Sequence, residues 1–327
     1  RTHRTLWFMY TVLAGGVGAA RFLRGMQAAG LDASTVAVVN TGDDTVMHGL
    51  SISPDIDTVT YTLAGAIDPE RGWGLRGETW RAMEALARFS EARPDGSGAG
   101  GTWFNLGDAD LATHMYRTAR LAEGATLTEV TDEIRRAFGV GIRIVPMSDE
   151  RVSTVVTLAG NGGDVQFQEY FVRLRHDVPV SAVRFEGSGA AGFTDLSLLT
   201  DSAAVVIAPS NPVVSIGPIR ALAGVDDALA ARRESVVAVS PIVAGAALKG
   251  PADRMLVELG MEPTVVGVAR LYAPVCGTLV IDGQDAHLAG AVEECGMRCV
   301  VTDTIMSREG VAESLALTVV DAARGGN

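Results

Sequence analysis

The stretch YTVLAGGVGAARFLRGM, residues 10–26, decides the fold. Its apolar start, residues 10–13, predicts a buried strand, and a helical pattern through Phe22 and Met26 follows. Between the two lies Gly15-Gly16-Val17-Gly18, where glycine allows the backbone to approach a ligand closely. A strand, a glycine loop and a helix in this order favour a phosphate site at the helix N-terminus.

The glycine loop departs from two common nucleotide-binding patterns. Arg21 occupies the place of the third glycine of the dinucleotide fingerprint, and the Lys-Ser/Thr ending of a P-loop is missing. Both departures disfavour a nicotinamide enzyme and an ordinary ATPase. A turn that only packs a strand against a helix is the structural alternative.

Further short apolar runs alternate with helical patterns along the chain. They cover residues 36–39, 142–145, 205–208, 236–239 and 299–301. This alternation predicts an α/β fold, a Rossmann-like and mostly parallel sheet with flanking helices. Polar clusters follow several of these runs, and the carboxyl ends of parallel strands meet at one edge of a sheet. The active site is therefore predicted at that edge.

One large domain is predicted for residues 9–327, with residues 1–8 as an upstream extension. A small inserted β/α region is expected at residues 152–200. Within it, the alternation of residues 152–173 predicts an antiparallel pair that turns through the Gly- and Asn-rich stretch at 159–163. A second insertion, at residues 93–101, is poor in side chains and predicts a flexible loop or a lid hinge.

Composition disfavours several functional classes. Apolar residues are 47% of the chain and charged residues 20%, which is typical of a compact α/β protein. The formal net charge of −12 disfavours nucleic-acid binding, which needs a basic surface. The odd cysteine count, three, favours reduced thiols in a cytoplasmic protein. No apolar run approaches about 20 residues, so no membrane span is predicted.

Acidic residues cluster after the second predicted strand. Asp43 and Asp44 follow it directly, and Asp55 and Asp57 come soon after. Carboxylates at a strand end can hold Mg²⁺ together with substrate phosphates, and one could instead bind an acceptor hydroxyl or take its proton. Helix capping is the alternative for each of them, but their grouping beside a phosphate loop favours chemistry.

Asp110 and His114 are four residues apart and would share one face of a helix. A single histidine is more often structural than catalytic. No serine has an evident His and Asp partner, so the sequence predicts no nucleophilic triad.

Two later loops are candidate ligand contacts. Pro209-Ser210-Asn211-Pro212 is a rigid turn that suits recognition of a base or sugar, although the same residues commonly form turns. Ser240-Pro241-Ile242 begins the matching loop after the next strand, and Lys249 in it is either a phosphate ligand or a solvated surface residue.

With these motifs in order, the chain resembles the 2-phospho-L-lactate transferase family, whose actinobacterial members are phosphoenolpyruvate transferases of coenzyme F420 biosynthesis. The resemblance runs from about Tyr10 to about Thr304. Its motifs are Gly15-Gly16-Val17-Gly18, Asn40-Thr41-Gly42-Asp43-Asp44, Ser53-Pro54-Asp55-Ile56-Asp57-Thr58, Leu106-Gly107-Asp108 with Ala112-Thr113-His114, Pro146-Met147-Ser148-Asp149, Pro209-Ser210-Asn211-Pro212 and Ser240-Pro241-Ile242.

The resemblance implies a Mg²⁺-dependent transfer to the deazaflavin Fo (7,8-didemethyl-8-hydroxy-5-deazariboflavin). The donor would be a guanosine-diphosphate-linked three-carbon acid, phospholactate or phosphoenolpyruvate. A ribityl hydroxyl of Fo would attack the phosphorus that bears the acid, GMP would leave, and (dehydro) coenzyme F420-0 would form. Such chemistry depends on positioning and charge, and needs no protein nucleophile. The family also implies a homodimer.

The resemblance assigns roles by position. The residues expected against bound groups are Gly15, Gly16, Val17, Gly18, Ser210, Asn211, Asn105 and Asp108. Among these, the glycine loop would cradle the diphosphate, and Ser210 and Asn211 would contact the guanosine side. The catalytic residues would be Asp57, Asp55 and His114, with Asp57 against Fo, and the metal ligands Asp43 and Asp44. The chain has Ala109 where a basic residue is expected beside the Gly-Asp-x-Asp motif.

Two other functions stay open. Gluconeogenesis-factor proteins, nucleotide-sugar-binding regulators, share the general fold but are expected to carry a Gly- and Ser-rich run where this chain has Thr45-Val46-Met47-His48-Gly49. A nucleotidyltransferase would share the opening loop, yet it would incorporate a nucleoside monophosphate into its product. The identity of the three-carbon acid also stays open, because it depends on a few contacts to one small group.

Overall fold

A computed structural model describes residues 9–160 and 162–325. The proposed extension, residues 1–8, lies outside the described residues, as does Asn161 of the predicted turn. The strands, in chain order, are β1 (Tyr10–Ala14), β2 (Thr35–Val39), β3 (Thr45–Met47), β4 (Leu50–Ile52), β5 (Arg143–Pro146), β6 (Ser153–Leu158), β7 (Asp164–Gln166), β8 (Val180–Glu186), β9 (Ala204–Ile207), β10 (Val236–Val239), β11 (Ile242–Val243), β12 (Ala246–Ala247), β13 (Thr278–Asp282) and β14 (Arg298–Thr302).

The helices connect these strands and cover the sheet. They are α1 (Gly16–Ala28), α2 (Pro54–Leu63), α3 (Arg81–Ala87), α4 (Asp108–Ala122), α5 (Leu127–Ala137), α6 (Ser197–Thr200), α7 (Gly217–Arg220), α8 (Val225–Ala231), α9 (Ala252–Glu258), α10 (Val265–Tyr272), α11 (Ala289–Glu294) and α12 (Val311–Arg324). Within the described part of the chain, no helix has the length and apolarity needed to cross a bilayer.

Seven strands form the central sheet in the order β14-β13-β10-β9-β1-β2-β5, and each neighbouring pair is parallel. From β1 the chain moves outward through β2 and β5. It then returns to the other side of β1 and moves outward again through β9, β10, β13 and β14. The order reverses between β1 and β9, which is where open α/β sheets bind ligands. The predicted Rossmann-like fold is confirmed.

Both faces of the central strands are buried, which explains their continuous apolar sequences. Leu13 and Val38 point into one core, whereas Val12 and Ala37 point into the core on the other face. Helices α1, α2 and α12 pack on the second core, and α8 and α10 on the first. Alternate side chains of β1 thus pack into the cores on both faces of the sheet.

The inserted region is a separate antiparallel sheet with the order β7-β6-β8. The predicted antiparallel pair is confirmed in β6 and β7, but β7 is short and a π-helical turn, Glu169–Arg173, follows it. The reason is Tyr170, which is fully buried in a third core with Val156 and Met255. The strand-like alternation predicted through residue 173 is wrong beyond Gln166.

Strand β13 is not among the predicted apolar runs. All five of its residues are buried, and it lies between β10 and β14. The signal was present, since Thr-Leu-Val-Ile-Asp stands between Gly277 and Gly283. Elsewhere the predicted strands are correct to within one residue at either end, as β9 and β14 show.

Helix α1 packs closely against α12 at Gly25, where an added Cβ would overlap the carbonyl oxygen of Ala312. We expect Gly25→Ala to lower the free energy of unfolding by about 1–3 kcal/mol, measured by urea denaturation, because the helices must separate. Gly290→Ala in α11 is the control, since nothing lies within 4 Å of its Cβ position. Equal stabilities of the two variants would contradict the close packing of α1 on α12.

Candidate functional site

A cavity of about 960 Å³ lies at the carboxyl edge of the central sheet. Its wall includes residues 15–18 after β1, residues 209–211 after β9, and Ser240 and Pro241 after β10. Side chains of α2, α4 and the inserted region complete it. The prediction that these loops gather at one edge of the sheet is confirmed.

The glycine loop, residues 15–18, leaves the first turn of α1 free of competing side chains. Gly15 is the N-cap residue and has no side chain to offer, and no acidic residue lies in the first turn. Only glycine fits at position 18, because a Cβ there would overlap the carbonyl oxygen of Pro209. The amides and the positive end of α1 therefore lie at the cavity wall, an arrangement that binds phosphate.

Ser210 and Asn211 lie across from the glycine loop. The Gly15 amide donates to Ser210 Oγ over 3.3 Å, which joins the loops that follow β1 and β9. Asn211 Oδ1 accepts hydrogen bonds from the amides of Val213, at 2.9 Å, and Val214, at 3.3 Å. Asn211 thus fixes the shape of its own turn while its side chain lines the cavity.

Three buried carboxylates stand beside the glycine loop. Asp55 Oδ2 accepts from Asn40 Nδ2 at 3.0 Å, and burial raises the pKa of Asp55 to about 6. Burial, followed by the charges of Asp55 and Asp44, raises the pKa of Asp43 well above its usual range. Burial also raises the pKa of Asp44, against a 2.6 Å hydrogen bond from Ser53 Oγ. The positive charge of Arg117 and the Ser53 hydrogen bond offset the effect of burial on Asp44 only in part.

This cluster fits a divalent cation. Asp43 Oδ1 and Asp44 Oδ1 are buried and accept no hydrogen bond from any described residue. Mg²⁺ prefers oxygen ligands and usually combines one or two carboxylates with substrate phosphates and water. Within the described residues, no three His, Cys, Asp or Glu side chains form a complete metal site. A metal here would share its coordination with a bound phosphate. Asp43 lines the cavity, and Asp44 lies behind it.

Arg117 is the centre of a buried network between α2 and α4. Its Nη1 donates to Asp57 Oδ2 at 3.2 Å and its Nη2 donates to Asp57 Oδ1. Nη1 also lies 3.3 Å from His114 Nδ1. A guanidinium can only donate, so Nδ1 accepts and a neutral His114 carries its proton on Nε2. That nitrogen lies 3.3 Å from Asp110 Oδ2.

Tyr61 extends the network, since its hydroxyl donates to Asp110 Oδ1 at 2.6 Å. Burial alone would raise the pKa of Asp110, but the interaction with the nearby His114 ring and the Tyr61 hydrogen bond hold that pKa below its usual value. Burial opposes the charge of Arg117, yet Asp57 raises the pKa of Arg117 above its usual value. The wall between α2 and α4 therefore keeps charged groups in fixed orientations beside the cavity.

The predicted helix face of Asp110 and His114 is confirmed, and both residues line the cavity with Asp57 and Tyr61. Arg117 was missed by the sequence reasoning. It lies three residues after His114 and seven after Asp110, a spacing that returns to the same helix face and could have revealed it.

Asp108 and Asn105 are both predicted ligand contacts, but only one of them lines the cavity. Asn105 lines the cavity. Asp108 does not, because its carboxylate accepts hydrogen bonds from the amides of Arg81, at 3.1 Å, and Ala82, at 3.0 Å, which begin α3. Asp108 therefore acts as a helix cap. Ala109 is exposed and also lies outside the cavity wall.

Positive charge reaches the cavity from other segments. Arg21 of α1, Arg175 of the inserted region and Lys249 after β12 line the cavity, and none forms an ion pair with a described residue. Lys249 Nζ would lie 2.8 Å from a Cβ built on Gly72, so it also meets the loop before α3. These cations stand where a polyanionic ligand would approach, in a protein whose net charge is −12.

A group of aromatic rings, the tryptophan wall, consists of the cavity residues Trp73, Trp103 and Phe104. The Arg71 guanidinium lies 5.4 Å from the ring centroid of Trp73 and 5.3 Å from that of Trp80, which orients Trp73. Trp73 is nevertheless 43% exposed, so its ring is available to a ligand. These rings are not among the residues predicted from the sequence.

Comparison with known proteins gives a consistent result. The family model of 2-phospho-L-lactate transferase CofD matches residues 10–320. The phosphoenolpyruvate transferase of Nocardia farcinica is 42% identical and the alignment covers 94% of each chain. That of Streptomyces griseus is 41% identical, covering 95% of this chain and 97% of the relative. That of Mycobacterium avium is 40% identical, covering 95% and 98%.

Among solved structures, a Bacillus halodurans protein of the upf0052 family is similar in fold. The TM-score is 0.60 at 12% identity, with 96% of this chain and 99% of that chain covered. At this identity the likeness shows the fold alone.

The buried Arg117–Asp57 pair gives a stability prediction. We expect Arg117→Leu to lower the free energy of unfolding by about 3–5 kcal/mol, measured by urea denaturation, because Asp57 loses its partner inside the protein. The double variant Arg117→Leu/Asp57→Leu should recover part of that loss. Arg136→Leu is the control, since this exposed arginine pairs with Asp132 at the surface and should cost less than about 1 kcal/mol. Equal losses in both single variants would contradict the role of the buried pair.

Proposed function

The chain belongs to the 2-phospho-L-lactate transferase CofD family, and from this premise we propose its donor, acceptor and metal. Membership makes it a transferase of phosphoenolpyruvyl or 2-phospholactyl groups in F420 biosynthesis. We propose that the donor is the guanosine-diphosphate-linked acid, that the acceptor is Fo, and that Mg²⁺ assists. The observation that carries the proposal is a phosphate cradle beside three buried carboxylates, Asp43, Asp44 and Asp55, whose pKa values are raised by burial.

The donor diphosphate would lie on the glycine loop. The first turn of α1 has no acidic residue and no side-chain cap, so its amides are free for phosphate oxygens. Ser210 and Asn211 stand opposite and would contact the guanosine side. Arg21, Arg175 and Lys249 add the positive charge that a polyanion needs.

Mg²⁺ would be held by Asp43 and Asp44. When bound, the ion neutralises phosphate charge and favours departure of GMP. Asp55, Asp43 and Asp44 would otherwise repel the donor phosphates at short range. The unused Oδ1 atoms of Asp43 and Asp44 are the groups that would face the ion.

The tryptophan wall supports a flat heteroaromatic acceptor such as Fo, because rings of this kind stack on Trp and Phe faces. Phe104 packs with Ile52 and Leu106 beside α4, so this wall adjoins the polar side chains of Asp57, Asp110 and His114. Those side chains would hold the ribityl hydroxyls of the acceptor. The tryptophan wall would thus bind the ring system of Fo, and the polar side chains would bind its ribityl chain.

Asp55 is the stronger candidate for the general base. Burial raises its pKa to about 6, whereas both oxygens of Asp57 already accept hydrogen bonds from Arg117. The attacking hydroxyl oxygen would form a bond to the phosphorus that bears the acid, and its proton would pass to Asp55. The bond from that phosphorus to the GMP oxygen would break. Asp57 and His114 would orient the acceptor.

Less evidence supports the two alternative functions, a nucleotide-sugar-binding regulator and a nucleotidyltransferase. The curated relatives described above are named phosphoenolpyruvate transferases, and they match nearly the whole chain. The likeness to the upf0052 protein concerns the fold alone. The name of these relatives also favours phosphoenolpyruvate over phospholactate as the transferred group.

Fluorescence of Fo provides the direct test of the proposed substrates. We expect saturable Fo binding that tightens when GDP and Mg²⁺ are added, because the phosphate cradle and the acidic cluster then become neutral. With a guanosine-diphosphate-linked acid, transfer should release one GMP for each (dehydro) F420-0 formed. Absence of Fo binding together with tight binding of a nucleotide sugar would instead support the regulator.

The metal assignment is tested at Asp43. We expect Asp43→Asn to raise the Mg²⁺ concentration for half-maximal transfer by at least about tenfold, because one carboxylate ligand is lost. Asp227→Asn is the matched control, since Asp227 is exposed on α8. Fo binding without metal reports whether the variant is folded. Identical Mg²⁺ titrations of the variant and the parent protein would rule out Asp43 as a ligand.

A further inference from the structure

A short hairpin, β11 and β12, follows β10 at the carboxyl edge of the sheet and leads to Lys249. Its first strand is firmly held, because Ile242 is buried in the core and its amide donates to Ser240 Oγ at 3.1 Å. Ile242 pairs with Ala247 of the second strand. Lys249 comes shortly after Ala247, so the position of its backbone depends on the shape of this hairpin.

The turn of the hairpin has an unfavourable backbone conformation. Ala244 has a φ of 50° and Gly245 has a φ of 78°. Two-residue hairpin turns often need positive φ at both positions, which suits glycine, whereas alanine seldom adopts it. The side chain of Ala244 cannot offset this cost, since it has no polar atom. A contact from outside the turn is therefore expected to stabilise it.

Asp285 provides that contact from the segment after β13. Its Oδ2 accepts a hydrogen bond from the Ala244 amide at 2.9 Å, across 41 positions of the chain. Asp285 is 3% exposed, and it is not one of the residues that line the cavity. A buried carboxyl group is unfavourable unless it is hydrogen-bonded, so the burial of Asp285 and the shape of the turn depend on each other.

Lys249 carries the effect of the hairpin into the cavity. Both Lys249 and Gly72 line the cavity wall, and Lys249 Nζ would lie 2.8 Å from a Cβ built on Gly72. The ammonium group thus reaches from the hairpin to the loop that carries Trp73. A lysine side chain is long and flexible, so the backbone from which it starts determines how often its charge lies over the cavity.

We propose that Asp285 is a positioning residue for the transfer reaction. By holding the Ala244 turn, it keeps Lys249 where the ammonium group contacts a phosphate-bearing ligand. The inference rests on the proposed function, which brings such a ligand to this cavity. Asp285 touches no ligand and acts only along the backbone from Ala244 to Lys249. Without Asp285, the hairpin would adopt other conformations, and Lys249 would lie over the cavity for a smaller fraction of the time.

Binding of inorganic pyrophosphate in the presence of Mg²⁺, measured by calorimetry on the full chain, tests the inference. We expect Lys249→Met to weaken binding about tenfold, because one charged contact is lost. Asp285→Ala should weaken binding at least about threefold, since apparent affinity falls with the population of the binding conformation. Asp285→Asn keeps an oxygen that accepts from the Ala244 amide and should bind like the parent protein.

A double-mutant cycle separates a positioning role from a general loss of stability. In the Lys249→Met background, we expect Asp285→Ala to have no further effect on pyrophosphate affinity, because Asp285 acts through Lys249. Ala244→Gly should restore much of the affinity lost in Asp285→Ala, because glycine adopts the turn conformation without strain. Asp285→Leu keeps the side-chain volume and removes the acceptor, so it replaces Asp285→Ala if that variant does not fold.

Glu258→Ala is the matched control. Glu258 Oε2 also accepts a hydrogen bond from a distant backbone amide, that of Val180 at 2.9 Å, but Glu258 lies outside the cavity wall. This variant should lower the free energy of unfolding, measured by urea denaturation, and leave pyrophosphate affinity unchanged.

The inference is supported if the loss in Asp285→Ala is recovered in Asp285→Asn and disappears in the Lys249→Met background. Equal pyrophosphate affinity of Asp285→Ala and the parent protein overturns it, as does a loss of the same size with and without Lys249. In both of those cases the proposed phosphate site stands. If the parent protein itself binds no pyrophosphate, the proposed phosphate site fails and the inference fails with it.

Discussion

The site depends on one close contact, the glycine loop after β1 against the loop after β9. Gly18 has no side chain, so the first turn of α1 can lie directly on Pro209. This contact places free amides at the point where the strand order reverses. The acidic cluster, the Ser210 turn and the cavity are all arranged around it. A larger residue at position 18 would separate the two loops and with them the parts of the site.

The distribution of charge is compatible with the polyanionic donor proposed for this acidic protein. The net charge of −12 is a property of the whole surface, whereas the cavity receives Arg21, Arg175 and Lys249 without acidic partners. The carboxylates that line the cavity differ in how their negative charge is balanced. Asp57 is neutralised by Arg117, and Asp43 is buried with its pKa raised. A bound cation would balance the charge of Asp43.

The sequence predicted the fold well because the central strands are buried on both faces and read as apolar runs between helical patterns. It predicted the glycine loop and the Asp110–His114 face for similar local reasons. Asp108 shows the limit: it stands two residues from Asp110, yet the helix directs it towards α3 instead of the cavity. The pairing of Arg117 with Asp57 and the position of the tryptophan wall could not be predicted, because both depend on how distant segments pack rather than on local pattern.

The pairing of β1 with β9 has a consequence for how the protein is made. Tyr10 lies beside Ala204 in the sheet, and the Gly15–Ser210 hydrogen bond spans 195 positions of the chain. During synthesis β1 can pair with β2 early, but its other edge stays open until β9 has left the ribosome. Contacts of such long range slow folding, and an open apolar edge is prone to association with other chains. The site is therefore complete only after β9 has been made, so a fragment truncated before β9 would lack part of the site as well as a complete core.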